Sequence, residues 1–515
     1  MEWLVIKGTN GPDLLFGTLG SDLILGLGGD DVVQGDAPVD TSSPELSSLV
    51  GATDNILGGS GNDALYGEGY ITTDGTSAPT MTGASDRLNG NAGDDTIWGD
   101  GRIEGRNYTT IFEANLFGGD DVIDGGSGND IIFGDGEVSM ERGIANLFGG
   151  DDTIGGGSGD DTIYGDGRAG SAFATGYLTG GSDILRGGVG NDVLYGDGSG
   201  VFGRGESTVV GGQDTLYGDQ GDDTLYGDGT GSTLDGGDDR LFGGAGNDLA
   251  KGDGDAFALL NGGDDEIWTA AGNDTVYGDG TATVLYGGPA TLNGGDDTVN
   301  VGKGNDLVFG DGHAQGAGTP ATLTGGQDLL LGGAGNDTVY GDGTVNGYVA
   351  TLIGGDDTVL GGSGDDVLYG DGVAVGSNTA TILGGNDILV GGAGRDVLWG
   401  DGEALASGDE TGPVLLSVTG GADTFVFGLR DGLDTVMDFR SADGDIVDLS
   451  STYLAWADLD SDGSGWLDDD DECVILDGMN TILDLGRAAL DGIVGINTVT
   501  FIGVTSLVET DFLFA

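Results

Sequence analysis

Hydrophobic residues in the middle of the chain come mostly in runs of one to three, set between glycine-rich and aspartate-rich stretches. In "GGDDTVLGGSGDDVLYGDG", from Gly354, the only sizeable side chains are Val359, Leu360, Val367, Leu368 and Tyr369. A three-residue run of the form x-U-x, with U an aliphatic residue, places one side chain inward and two outward, which is the pattern of a minimal β-strand. The six-residue stretch between such runs, G-G-x-G-x-D, calls for positive φ angles and close backbone approach, both of which glycine permits. The predicted elements are short strands separated by tight turns, two of each in every unit.

The unit repeats. From Asp54 the chain follows G-G-x-D-x-U-x-G-G-x-G-x-D-x-U-aromatic-G-D-G, and each copy holds two aspartates nine residues apart. The pairs are Asp54 and Asp63, Asp86 and Asp95, Asp121 and Asp130, Asp152 and Asp161, Asp183 and Asp192, Asp214 and Asp223, Asp239 and Asp248, Asp265 and Asp274, Asp297 and Asp306, Asp328 and Asp337, Asp357 and Asp366, and Asp387 and Asp396. They recur every 25 to 35 residues, and Asp13, Asp22 and Asp31 keep the same step without longer insertions. Self-similarity at such a period is the mark of a solenoid. Stacked coils would share parallel ladders, each coil adding about 4.8 Å along the axis.

Two further columns align. The closing G-D-G brings Asp100, Asp135, Asp166, Asp197, Asp228, Asp253, Asp279, Asp311, Asp342, Asp371 and Asp401 to one place, with Glu68 in the first unit. An aromatic column precedes it, including Tyr66, Trp98, Phe133, Tyr164, Tyr195, Tyr226, Tyr340 and Trp399, and is broken at Lys251. Its position beside the inward residue points it away from the core, where stacked rings would support neighbouring strands. The insertion after each G-D-G is expected to fold over it. Insertions such as "TVNGYVATLIGG" from Thr344 converge on A-T-[LI]-x-G-G, and Asn346-Gly347 is a hairpin signal, so an extra strand or hairpin is expected on one edge of every coil. That regular, weakly charged edge is the expected interaction surface, with Thr291, Thr322, Thr351 and Thr381 in file along it.

Composition sharpens this picture. The 515 residues include 115 glycines, and 88 acidic side chains stand against 15 basic ones for a net charge of -73. Nucleic acid and anionic membrane recruit clustered Lys and Arg and are excluded as partners. Multivalent cations are the natural counter-charge. With Cys473 alone no intrachain disulfide can restrain the chain. No run approaches the roughly 18 to 20 apolar residues of a membrane span, and "MEWLVIKGTNG" does not resemble a cleaved secretory signal.

The nonapeptide G-G-x-G-x-D-x-U-x resembles the calcium-binding repeat of RTX (repeat-in-toxin) proteins over most of residues 8 to 402. The resemblance implies an all-β, right-handed parallel β-roll in which Ca2+ ions lie between turns of neighbouring coils. The sixth-position aspartates paired above, with Asp13, Asp22 and Asp31, then carry the metal. Calcium takes six to eight oxygens, and the turns offer carboxylates together with glycine carbonyls. About two dozen ions would offset about 50 of the 73 negative charges. A thin core does not overcome the backbone entropy of so much glycine, so the chain is expected to fold on binding calcium. The G-D-G column has two readings: extra ligands, with Asp135, Asp166 and Asp371 counted among the candidates, or strand ends that solvate the next loop.

After Gly402 the nine-residue rhythm fades. The stretch "LDTVMDFRSADGDIVDLS", residues 433 to 450, resembles the C-terminal module of serralysin-type secreted proteases, and residues 403 to 515 are expected to cap the roll that occupies 51 to 402, after first repeats in 1 to 50. Within it "DSDGSGWLDDDD" fits an EF-hand-type loop, with Asp460, Asp462 and Ser464 at ligand spacings, Gly465 at the turn, Leu467 inward and Asp471 in the last position. Asp471 stands where glutamate is usual. The ending "LVETDFLFA" resembles an uncleaved type I secretion signal, which implies export from a Gram-negative bacterium by that machinery to the outside or the cell surface.

Enzyme signatures are missing from the sequence. His313 is the only histidine, so no H-E-x-x-H can form, and there is no G-x-S-x-G elbow. Ubiquitous carboxylates make any acid-base assignment empty without a pocket. The expectation is a noncatalytic, secreted calcium-binding structural protein that associates with itself as an S-layer, filament or matrix, or mediates adhesion. The alternative is an accessory module that binds cell-surface polysaccharide or assists an exported hydrolase or epimerase. Regular threonine files also suggest ice binding as a minor possibility, although threonine is simply a good strand residue.

Overall fold

The computed structural model describes residues 3–36, 39–40, 48–73, 78–105, 112–170, 173–201, 206–284, 287–407, 414–489 and 495–515. The chain divides into two compact units, Met1–Glu266 and Ile267–Ala515. Each is a parallel β-solenoid built from the same coil. Among the described residues no helix is long and apolar enough to cross a membrane.

One coil of the first unit shows the construction. Ile184–Val189 forms a strand of a first sheet, a tight turn leads to Asp192, and Val193–Tyr195 forms a strand of a second sheet. Gly196-Asp197-Gly198 then redirects the chain into Gly198–Val201 and Ser207–Val210, both in a third sheet. Every one of these strands pairs in parallel with its counterpart one coil on: Ile184 with Thr215, Val193 with Thr224, Gly198 with Gly229 and Thr208 with Thr233. The x-U-x reading holds, since Leu185 and Leu194 point inward and are fully buried.

The insertions are where the structure departs from expectation. They form a full third face, not an edge hairpin. In the second unit Gly343–Ile353 is one strand and pairs in parallel with Gly372–Leu383. Asn346-Gly347, the hairpin signal, does not reverse the chain; it leads into a register shift between Gly347 and Val349. The reason is that each insertion has the next coil's insertion beside it, and parallel pairing with that copy satisfies backbone groups that a hairpin would leave at an edge. Alternate side chains of the insertion, among them Val345, Ala350 and Leu352, are fully buried. The core is accordingly broader than one aliphatic per short strand: Ile56, Leu65, Ile71 and Met81 of a single coil are all at 0% exposure. The outward side is the accessible one, and there Thr291, Thr322, Thr351 and Thr381 do lie in register, followed by Ser417.

The aromatic column stacks as ladders. In the first unit Phe133, Tyr164, Tyr195 and Tyr226 follow one another at 4.8 to 4.9 Å between ring centroids and within 5° of parallel. At the break in the column the Lys251 ammonium lies 5.3 Å from the Tyr226 ring centroid and 2.5 Å from Asp255 Oδ1, so a cation takes the place of the next ring. The first strand of the insertion flanks the stack, with Arg168 5.7 Å above the Tyr164 ring.

Parallel stacking continues past Gly402. Thr424–Val426 pairs with Ile388–Val390 and then with Ile446–Asp448, and Leu433–Val436 pairs with Val397–Leu398 in the second sheet and with Thr498–Phe501. Among the described residues, antiparallel strands are seen here: Val474–Asp477, Asn480–Asp484 and Thr498–Phe501 close the second sheet over buried Phe425, Phe439 and Phe501. Phe512–Leu513 adds a parallel strand beside Ile446–Asp448.

Candidate metal centre

The turn Gly58–Asp63 carries the local geometry. Gly59 and Gly61 have φ of 117° and 126°, and a Cβ on Gly61 would strike the Gly29 carbonyl of the coil before. Only glycine allows the coils to approach this closely. The last two residues of the turn then staple it in opposite directions. Asn62 donates its N–H to Asp30 Oδ1 in the preceding coil at 3.0 Å, and Asp63 donates its N–H to Asp95 Oδ1 in the following coil at 2.7 Å.

The second pattern runs as a file through each unit. In the first unit Asp130, Asp161 and Asp192 each donate N–H to the next carboxylate, ending on Asp223, at 2.8 Å every time. The other member of each aspartate pair forms its own file, with Asp121, Asp152 and Asp183 donating in turn to the next as far as Asp214, at 2.6 to 2.7 Å. The second unit repeats both, through Asp306, Asp337, Asp366 and Asp396 and through Asp297, Asp328, Asp357 and Asp387.

Each of these bonds uses one oxygen of the accepting carboxylate. The Oδ2 atoms of Asp54, Asp63, Asp86, Asp95, Asp183, Asp192, Asp337 and Asp366, among others, are buried with no hydrogen-bond partner. A Cβ on Gly58 would fall beside Asp63 Oδ2 and the Gly90 carbonyl of the next coil, so a carboxylate and a carbonyl converge on a space kept open by glycine. Burial pushes Asp54 up to about 7, Asp95 to about 6 and Asp86 to about 9, with neighbouring carboxylates adding to the rise. A buried carboxylate without a partner is costly. Hard oxygen donors from side chain and backbone, negatively charged and stacked in register, suit a Ca2+ ion, and the turn residues fit it.

A family model for the RTX calcium-binding nonapeptide repeat matches residues 7–40, 51–69, 82–101, 118–137, 148–167, 177–199, 210–234, 233–256, 252–285, 292–314, 323–344, 354–372 and 382–404, more than half of the chain. The chain belongs to the RTX repeat family. No curated protein matches it.

Within the RTX repeats the first coils differ from the rest. Asp13 is half-buried, and Asp13 and Asp22 turn Oδ2 to the N–H and hydroxyl of Thr9 and Thr18, which stand where most later turns have a second glycine. Their Oδ2 atoms are therefore not left over for a cation, although Asp22 Oδ1 and Asp31 Oδ2 are.

The G-D-G aspartates are not solvated loop residues. Asp135, Asp166, Asp197, Asp228, Asp342 and Asp371 are at 0% exposure. Each accepts the N–H of the second glycine after its own insertion, as Asp135 does from Gly150 at 3.2 Å, Asp342 from Gly355 at 2.8 Å and Asp371 from Gly385 at 2.8 Å. The bond closes the neck of the insertion and explains why the G-D-G and the later G-G always occur together.

Four aspartates extend the RTX pattern beyond what sequence reading found. Asp36 opens the G-D-G column, is fully buried, and is pushed by burial up to about 7. Asp423 accepts from Asp387, Asp445 from Asp423 and Asp434 from Asp396, at 3.0 to 3.2 Å, so both files persist past Gly402. Their spacing of eleven residues hid them; the signal available was "GGADTFVF", which keeps G-G-x-D followed by alternating apolar residues.

The acidic loop near residue 465 is brought together in part. Asp460, Asp462 and Asp471 have carboxylate oxygens within 4.8 Å of one another, and Leu467 is buried as expected. Ser464 gives its N–H to Asp460 and Asp462 and turns its hydroxyl to the Trp466 carbonyl at 2.9 Å, away from the group. One helical turn, Trp456–Leu459, precedes the loop and a strand, Val474–Asp477, follows it, so the loop has no helix pair around it.

Proposed function

We propose that this RTX chain is a secreted, noncatalytic structural protein that folds when calcium fills its turns outside the cell and then associates with copies of itself. The observation that carries the reading is the file of buried aspartates, one oxygen accepting the N–H of the preceding coil's aspartate and the other turned to a glycine-lined gap. Repulsion along such files opposes folding until a cation enters, which couples folding to the millimolar calcium of an extracellular medium. Export by a type I route fits a chain that stays unfolded in calcium-poor cytosol. Support for a noncatalytic role comes from the length given over to repeats and from His313, whose Nδ1 lies 2.5 Å from the Thr344 hydroxyl.

Self-association is supported by the outward side of the third sheet. In the first unit it exposes Phe117, Phe148, Tyr177 and Val210, with the Phe117 and Phe148 rings stacked at 4.9 Å. Contiguous exposed apolar groups of this kind mark contact surfaces. Circular dichroism in excess chelator and in millimolar calcium tests the folding claim: β-sheet signal should appear only with calcium, and equal signal in both would reject it. Electron microscopy of the calcium-loaded protein tests the second claim, with lattices or fibres expected. Persistent monomers that bind polysaccharide would replace it by the accessory-module reading.

A further inference from the structure

The G-D-G aspartates do more than latch the insertions. Asp166, Asp183 and Asp197 bring carboxylate oxygens within 4.8 Å of one another, and so do Asp197, Asp214 and Asp228. All five are 0 to 2% exposed. Each group combines two successive G-D-G aspartates with the intervening pair member, so it lies at the insertion neck and not in a G-G-x-G-x-D turn. Asp183 Oδ2 and Asp214 Oδ2 are buried without any hydrogen-bond partner. Glycine keeps the space open here too, since a Cβ on Gly165 would fall beside Asp183 Oδ2 and the Gly196 carbonyl.

We propose that the insertion neck holds a second class of divalent-cation site, built by the G-D-G aspartates, and that its Ca2+ fastens the third sheet to the solenoid. The proposal rests on the calcium reading of the paired aspartates, shares Asp183 and Asp214 with it, and adds the G-D-G carboxylates as ligands. The turn file supplies one carboxylate per coil, whereas the neck supplies two, one from the G-D-G and one from the pair member. A dication is therefore matched by its own coil's charge at the neck and only half matched in the turn. Three carboxylates this close and this buried cannot all be ionised without a cation between them. Asp197 belongs to both groups, so an ion in one site fixes a ligand of the next. Each G-D-G carboxylate also accepts the N–H that closes its insertion, from Gly181 for Asp166 and from Gly212 for Asp197, so an ion that orders the carboxylate orders the neck.

Crystals of the unaltered full chain grown in calcium chloride provide the direct test. Anomalous difference peaks are expected in the turns and, separately, at the centre of Asp166, Asp183 and Asp197. Peaks in the turns alone overturn the proposal and leave the turn reading intact; turns without peaks overturn the turn reading itself. Asp197→Asn provides the second test, because the amide oxygen can still accept from Gly212 while the charge is lost. In saturating calcium it should bind two ions fewer and exchange the Gly212 amide and Ser207–Val210 faster, with Val193–Tyr195 still protected. Asp192→Asn, in the turn, should leave the neck amides slow. Unchanged exchange and ion count in Asp197→Asn would show that the hydrogen bond alone closes the neck and would overturn the proposal.

Discussion

Adjacent residues of each turn point their side chains to opposite surroundings and do opposite work. Asn62 is exposed and bonds backward to Asp30, while Asp63 is buried and bonds forward to Asp95. The exposed file in the first unit reads Asp30, Asn62, Asp94, Asn129, Asp160, Asn191, Asp222, Asn247, an alternation of acid and amide in which each side chain accepts the next coil's N–H at 2.7 to 3.0 Å. The amides keep like charges from standing on neighbouring strands, where they would repel. Asn129→Asp keeps the acceptor for Asp160 but places three acids in succession. It should cost about 0.2–1 kcal/mol in urea unfolding with saturating calcium, and more at low salt. The buried file has no such alternation, because there the repulsion is what a cation relieves. Sequence spacing was enough to find Asp63 and Asp95, yet the division of labour between their two oxygens follows only from the neighbouring coil.

At the scale of elements, short strands are sustained by copies of themselves. Three residues such as Val193–Tyr195 bury one leucine and could not persist as an isolated strand. Stacking supplies the ladder on both sides and lines up identical rings. Tyr195 faces Tyr164 and Tyr226, each at 4.8 Å, and Tyr195→Leu removes both stacks. A loss of about 1–3 kcal/mol is expected from the two ring pairs, measurable as a lower urea midpoint in calcium-loaded protein. The same logic explains the misread insertion. Asn346-Gly347 is a hairpin signal for a chain considered alone, but the insertion's partner is the insertion of the next coil, and pairing with it in parallel leaves fewer backbone groups without partners. Local turn chemistry lost to a tertiary partner that a single repeat does not reveal.

For the molecule as a whole, charge decides the conditions under which it can exist. Burial pushes Asp54, Asp161 and Asp228 up to about 7 from 3.8. The metal-free fold therefore holds more protons than the unfolded chain between those values, and its stability is greatest below 3.8 and is lost as pH rises toward 7. In chelator, acidification from pH 7.5 to 4.5 should increase β-sheet circular dichroism. With excess calcium the sign reverses, because protons compete with the ion for the same oxygens, and the thermal midpoint should fall over that interval. A chelated protein whose fold weakens on acidification would contradict the burial of these carboxylates.

What the amino-acid order settled by itself is the repeat, its period, the glycines that permit tight turns and the aspartates that line them, since these depend on spacing and on the steric freedom of single residues. The continuation of the solenoid through Asp423, Asp434 and Asp445 was hidden by a change of spacing. Only the folded chain decided that the insertions make a third buried face, that the G-D-G carboxylates close its neck, and that one oxygen of paired aspartates such as Asp63, Asp95 and Asp183 is left for a cation. Those outcomes depend on which backbone lies one coil away, and that neighbour, some 30 residues distant along the chain, becomes a contact only when the coils stack.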